Sequence, residues 1–166
     1  MNSNTKEFVL YPVLLSLHDA VVGNGFVAMV HIEGRSLMRQ EEDGFWIDGV
    51  NPGALAEGGS TRDEALLKFR ESYREVLADM AVCAASFDEF RAEVERFFYQ
   101  ETPGEAEAWL AAAAALRKDR SIADDWLPVS SSYPDASVNV LLLDARDDLE
   151  PQKNSREPAV LASAAA

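Results

Sequence analysis

The stretch GVNPGALAEGGSTRDEAL (Gly49–Leu66) places four glycines ahead of a helix start. Helix N-termini preceded by glycines are where phosphates are often held. A P-loop also needs a lysine after its second glycine, but Gly58-Gly59 runs into Ser60-Thr61-Arg62. The G-x-G-x-x-G pattern of dinucleotide sites is missing too, and Glu57 beside the glycines would repel a phosphate. The glycines therefore read as backbone geometry. Pro52-Gly53 is expected to form a turn, and Gly58-Gly59 a bulge or a close approach to a helix cap at Thr61.

The remaining chemistry-bearing residues are sparse. His18 and His31 have no ligand at a spacing such as H-x-x-x-H. His31 alternates with Phe26, Ala28, Val30 and Ile32, which puts it on a sheet's more polar face, and His18 reads as lying near a strand end. Ser60 lacks a nucleophile-elbow motif. A two-metal nuclease of RNase H type needs carboxylates on a first strand, a helix and a later strand. Glu64 and Asp144 could supply two, but the first strand offers only Glu7 at its start and Asp19 past its end. Cys83 is the single cysteine, which excludes an internal disulfide. Beside Ala81, Val82 and Ala84 it is expected to be a small buried hydrophobe. No catalytic residue, metal or cofactor is expected, so the chain reads as a non-enzyme.

Charge carries more information. The net charge of −14 argues against direct nucleic-acid binding, which needs a basic face. Residues 41–64 hold seven acids against one base, and residues 121–166 eight against three, whereas residues 1–40 balance. Such a concentration serves either solubility or docking to a basic partner. No apolar run approaches the roughly 20 residues of a membrane span. The start, MNSNTKEF, shows no signal-peptide pattern, and the lone cysteine suits a reducing compartment, so a cytoplasmic location is expected.

The elements that must position these groups follow from periodicity. Glu7–Leu17 and Gly25–Glu33 flank Gly23-Asn24-Gly25, a hairpin signal, and Pro12 marks the first strand as an edge or bulged. RSLMRQ and FWIDGV read as a second hairpin turning at Glu41–Gly44, which completes an antiparallel meander. Three capping-box patterns start helices: Thr61–Glu64, Ser86–Glu89 and Thr102–Glu105, the last with Pro103 at the first helical position. Their apolar faces are Ala65, Leu66, Phe69, Tyr73, Val76, Leu77 and Met80; then Phe90, Val94, Phe97 and Phe98; then Ala106, Trp109, Leu110, Ala113 and Leu116. Ser121–Ala136 reads as a loop anchored by Trp126, and Ser137–Ala145 as a buried strand. The expected fold class is α+β: a meander sheet with a main helix on one face, two further helices and a late closing strand. Residues 1–145 form one domain with a helical insertion at about 86–118, and residues 146–166 are expected to be a polar, mobile tail.

This order resembles the HicB-type antitoxins. The matching residues are Tyr11-Pro12-Val13, Gly25-Phe26-Val27, the run Asn51–Thr61, Glu64-Ala65-Leu66 and the closing strand Val138–Asp144. The resemblance implies a partial RNase H-like fold and a partner of the HicA kind, a small basic RNase toxin that is masked by binding. Departures are an added hairpin at 33–48, two added helices at 86–118 and the lack of a basic DNA-binding helix after Asp144. The leading expectation is thus an antitoxin-type protein whose partner-binding residues are Glu41, Glu42, Asp43, Asp48 and Glu57. Pro52, Gly53, Gly58, Gly59, Thr61 and Glu64 are expected to be structural turn and cap residues. The alternative is a stand-alone homo-oligomer of the same fold, pairing through the first strand's edge. A degenerate nuclease is a third and weaker reading.

Overall fold

A computed structural model describes residues 8–123, 126, 127, 130 and 132–145. The first two apolar runs form one long hairpin, β1 (Leu10–Gly23) and β2 (Phe26–Glu41). Its register is unbroken from Gly23↔Phe26 to Leu10↔Arg39. Asn24 and Gly25 make the turn, with Gly25 at φ 78°. The Asn24 side-chain amide donates to the carbonyls of Val82 and Ala84. Residues 33–48 are therefore not a separate added hairpin. Residues 33–41 are the second half of one 16-residue strand, and β3 (Gly44–Asn51) folds back on that half.

Strand β2 is the centre of the sheet. On one side it pairs with β1 along its length. On the other its second half, Arg35–Glu41, pairs with β3, and its first half, Phe26–Glu33, pairs with β5 (Ser137–Ala145). A short β4 (Ala56–Gly59) adds to β3. All pairings are antiparallel, and with three helices this gives the expected α+β class.

Alternation decides which face each helix covers. Leu15, Leu17, Val21, Phe26, Ala28, Val30, Ile32 and Met38 share one face and are buried. Helix α1 (Arg62–Cys83) lays Ala65, Phe69, Tyr73, Leu77 and Ala81 against it, one residue per turn. Helix α2 (Phe87–Tyr99) adds Phe90, Val94, Phe97 and Phe98. Each fully buried Phe, Leu or Val among them contributes about 1.5–3 kcal/mol. The opposite face, defined by Leu10, Leu14 and Leu37, is covered at that end by Trp109, Ala112 and Ala113 of α3 (Glu105–Lys118). The Trp109 indole N–H reaches the Val13 carbonyl at 3.4 Å. Trp126 packs on Tyr11, at 5.3 Å between ring centroids, and anchors its loop as expected.

Two capping boxes form. The Thr61 hydroxyl accepts from the Glu64 N–H at 3.1 Å, and Ser86 accepts from Glu89 at 3.2 Å. The return bonds land one residue earlier than expected: Glu64 accepts from Ser60 N–H and Glu89 from Ala85 N–H, both at 2.8 Å. The third box does not form. Thr102 spends its hydroxyl on the Gly53 carbonyl, and Gly104, at φ 87°, caps α3 with no side-chain bond. Pro103 thus lies before the helix, in the turn. Leu110, expected on the buried face of α3, is 57% exposed, and Ala112 takes that role.

Three further expectations are corrected. Cys83 is exposed, because it is the last residue of α1 and the buried stripe passes through Ala81 and Ala84. Strand β5 exists with the expected bounds, but it is an edge, with only Val140 buried and Leu141, Leu142 and Leu143 all exposed. Gly58 and Gly59 are regular strand residues of β4 rather than a bulge, opposite Trp46 and Phe45. Their close approach to the cap is real: a Cβ on Gly59 would lie 2.5 Å from the Ala65 nitrogen. Pro52 and Gly53 lie in the bend between β3 and β4, closed by a bond from Gly49 N–H to the Leu55 carbonyl at 2.8 Å. The tail 146–166 lies outside the described residues.

At Gly58 an added Cβ meets only the half-exposed Trp46 indole, at 3.3 Å. Urea unfolding should therefore separate the two glycines: Gly59→Ala is expected to lose about 1–3 kcal/mol, and Gly58→Ala about 1 kcal/mol or less.

Candidate functional site

The second hairpin and β4 build the acidic site. The β2–β3 turn carries Glu41 and Asp43 to one end of the sheet, β3 contributes Phe45 and Trp46, and β4 contributes Glu57. These residues, with Lys68 of α1, line an open cavity of about 670 Å³. Trp46 is 44% exposed and has Gly58 as its cross-strand partner. With no side chain on Gly58, the indole lies over the strand backbone, an arrangement that supports a glycine in a sheet.

Three of the five acids expected to bind a partner therefore share this cavity: Glu41, Asp43 and Glu57. Asp48 does not join them. Arg39 holds its carboxylate at 3.0 Å, and Asp48 opens instead onto a smaller cavity of about 260 Å³ beside Thr102 and Glu105. Glu42 sits in the turn and does not line the cavity. Glu57 is itself positioned, since it accepts a hydrogen bond from the Ser72 hydroxyl of α1. Arg39 lies 3.8 Å from Glu41 as well, so this guanidinium steadies one carboxylate on β2 and one on β3.

Lys68 is the basic residue of the cavity wall, and it is engaged. Its ammonium is 2.8 Å from Glu64, and that bond raises its pKa. Glu64 is held down to about 2, first by Lys68 and then by the Ser60 hydroxyl and N–H. Glu64 is thus a cap and a counter-ion, consistent with the structural role expected for it. Trp46 and Lys68 were not legible as site residues. The signal that could have found Trp46 is its place opposite a glycine in a strand that otherwise buries its apolar residues.

A second polar cluster lies on the sheet face left open by α3. His18 pairs directly with His31, with ring centroids 3.7 Å apart. His31 Nε2 is 2.9 Å from Glu33 Oε1, and Ser16 donates to the same oxygen at 3.0 Å. The His31 bond keeps the Glu33 carboxyl below its usual range, against the opposing effect of burial. His18 is thus mid-strand rather than near a strand end. The two histidines are equidistant from the Asn24-Gly25 turn, so extending the hairpin register would have revealed the pair.

The nuclease-type carboxylates do not converge. Asp19 is inside β1, not past its end, and it pairs with Arg74 at 2.8 Å. Glu64 stands at the start of α1, Asp144 lies opposite Val27 on β5, and Glu7 is outside the described residues. Near Asp19, the Tyr73 hydroxyl is buried without a partner, and burial pushes its pKa well up. Among the described residues no group of three or more His, Cys, Asp or Glu could hold a metal ion. No described helix is long and apolar enough to cross a membrane.

No family model, curated protein or solved structure matches the chain. The HicB resemblance therefore rests on its motif residues.

The depressed Glu64 pKa fixes the sign of a pH effect. A carboxyl lowered from 4.5 to about 2 on folding stabilises the native state above the unfolded value, and that contribution fades as pH falls toward about 2. Thermal melts of wild type and Glu64→Gln are expected to differ most above pH 5 and to converge as pH drops from 4.5 toward 2.

Proposed function

We propose that this chain is a non-enzymatic, HicB-like antitoxin-type protein that binds and masks a basic partner, a HicA-like RNase toxin being the best candidate. The observation that carries the proposal is that Glu41, Asp43 and Glu57 line one open cavity together with the exposed Trp46. An open cavity lined by carboxylates and an exposed indole suits a partner's lysines and arginines: the acids supply charge, and a cation on the ring face adds about 0.5–2 kcal/mol. The same basic side chains would otherwise hold RNA phosphates, so docking here occludes the toxin's substrate site. Charge mainly steers and selects such a partner, while apolar contact with Trp46 and Phe45 adds affinity. The place of action is the cytoplasm, where an RNase toxin meets its substrate.

A stand-alone homo-oligomer of the same fold is the second reading, favoured by the uncharged stretch Ser137–Leu143 of β5. Affinity capture from the native host separates the two. The antitoxin reading expects a small basic protein whose recovery falls steeply with salt. The Glu41→Gln/Asp43→Asn/Glu57→Gln triple variant should lose at least about tenfold in affinity and flatten the salt dependence, because fewer charges are paired. A stable homo-oligomer that never recovers a basic partner would replace the first reading with the second.

A further inference from the structure

The sheet has edges at β1, β4 and β5, and the fold treats them differently. On β1, α3 lies against the first half, which also holds Pro12, with Trp109 bonded to the Val13 carbonyl, and the second half carries the charged Asp19. β4 is four residues long, ends in two glycines and abuts α1. These are the usual ways of blunting an edge. β5 packs on α2 through its buried face, but its first seven residues have neither a charge nor a proline. Ser137–Leu143 pairs only with β2 among the described residues, and presents Leu141, Leu142 and Leu143 at 51%, 45% and 54% exposure. A long, apolar, uncharged edge is a template for another strand.

We infer that β5 pairs antiparallel with β5 of a second copy, about a two-fold axis at Val140, joining the two sheets into one.

Charge selects the occupant. The chain carries −14, so a second copy can approach closely only over an uncharged surface, and Ser137–Leu143 is one. A basic partner would find no carboxylate there to recognise before Asp144. Val140 is the central residue of the stretch. Antiparallel pairing at that centre sets Asn139 against Leu141, Val138 against Leu142 and Ser137 against Leu143, keeping each pair on one face. The two Asp144 residues then stand eight residues apart along the strands, about 27 Å, well beyond the screening length of about 8–10 Å at physiological salt. The one irregularity, a bulge that leaves Leu143 without a partner on β2, falls at the end of the paired stretch and leaves its centre regular. The interface lies on β5, whereas self-pairing was expected on β1. It does not depend on the antitoxin reading.

Leu141 points to the open face and is half exposed, so charging it leaves the core untouched. Sedimentation equilibrium of the full chain is expected to give twice the monomer mass for wild type at high-micromolar concentration. Leu141→Lys and Leu141→Glu alone should each give monomers with melting temperatures near wild type. Mixing them one to one should restore the dimer, because opposite charges then flank the axis, and a merely structural defect would not be rescued in this way. A monomeric wild type, or dimers that persist in both single variants, would overturn the inference.

Discussion

One strand carries the architecture. β2 has a full-length partner on one side and two partners, β5 and β3, that divide the other. This is possible because its 16 residues are twice the length that either needs. The division falls between Glu33 and Arg35, at Gly34, where a Cβ would sit 2.6 Å from the Asn51 carbonyl. β3 therefore ends close against the point where β5 begins. Each half of β2 then acquires its own helical cover. α1 and α2 cover one face, and α3 covers the other only at the β3 end.

That asymmetry produces both surfaces with functional content. At the β3 end, helices on both faces spend the apolar side chains on the core, and what remains outside is the hairpin turn with its acids and Trp46. At the β5 end there is no α3, so the outer face stays open and carries the His18–His31 pair, and Leu141, Leu142 and Leu143 stay about half exposed. The long β1–β2 hairpin is held to α1 by Asn24 at its tip and by the Asp19–Arg74 pair along its length. The exposed Asp19–Arg74 pair adds little energy, about 0–1 kcal/mol, and mainly fixes orientation.

Much of this was legible in the sequence, and the reasons are local. Asn24-Gly25, the Thr61 and Ser86 caps and the 4-residue spacing of Phe69, Tyr73 and Leu77 are decided by chain-neighbour chemistry, so pattern reading found them. The failures share a different cause. The Thr102 cap was lost to Gly53, a partner 49 residues away. The β5 leucines looked buried because an apolar run does not say whether a strand has one neighbour or two. Cys83 looked buried because helix periodicity does not say which turn is the last to touch the core. The acidic site was half legible. The density of acids near residues 41–57 was plain, but whether Asp48 shares the cavity depends on Arg39, which claims it across the sheet.

Geometry along β2 relates the two surfaces. Val140 sits opposite Val30, and the acidic turn begins at Glu41, eleven residues further along the same strand. At about 3.3 Å per residue that separates the β5 edge from the acidic cavity by up to about 35 Å. The separation exceeds the reach of electrostatic repulsion in salt, so a second acidic copy at β5 does not feel the Glu41–Asp43–Glu57 cluster, and a basic partner at that cluster does not touch β5. A chain with a short β2 would have forced the two together, and its own acids would then have disfavoured self-pairing. The long central strand thus keeps the apolar β5 edge and the acidic cavity apart on one acidic chain. In a two-fold dimer the two cavities lie at opposite ends of the joined sheet, so each copy's cavity remains open to a partner.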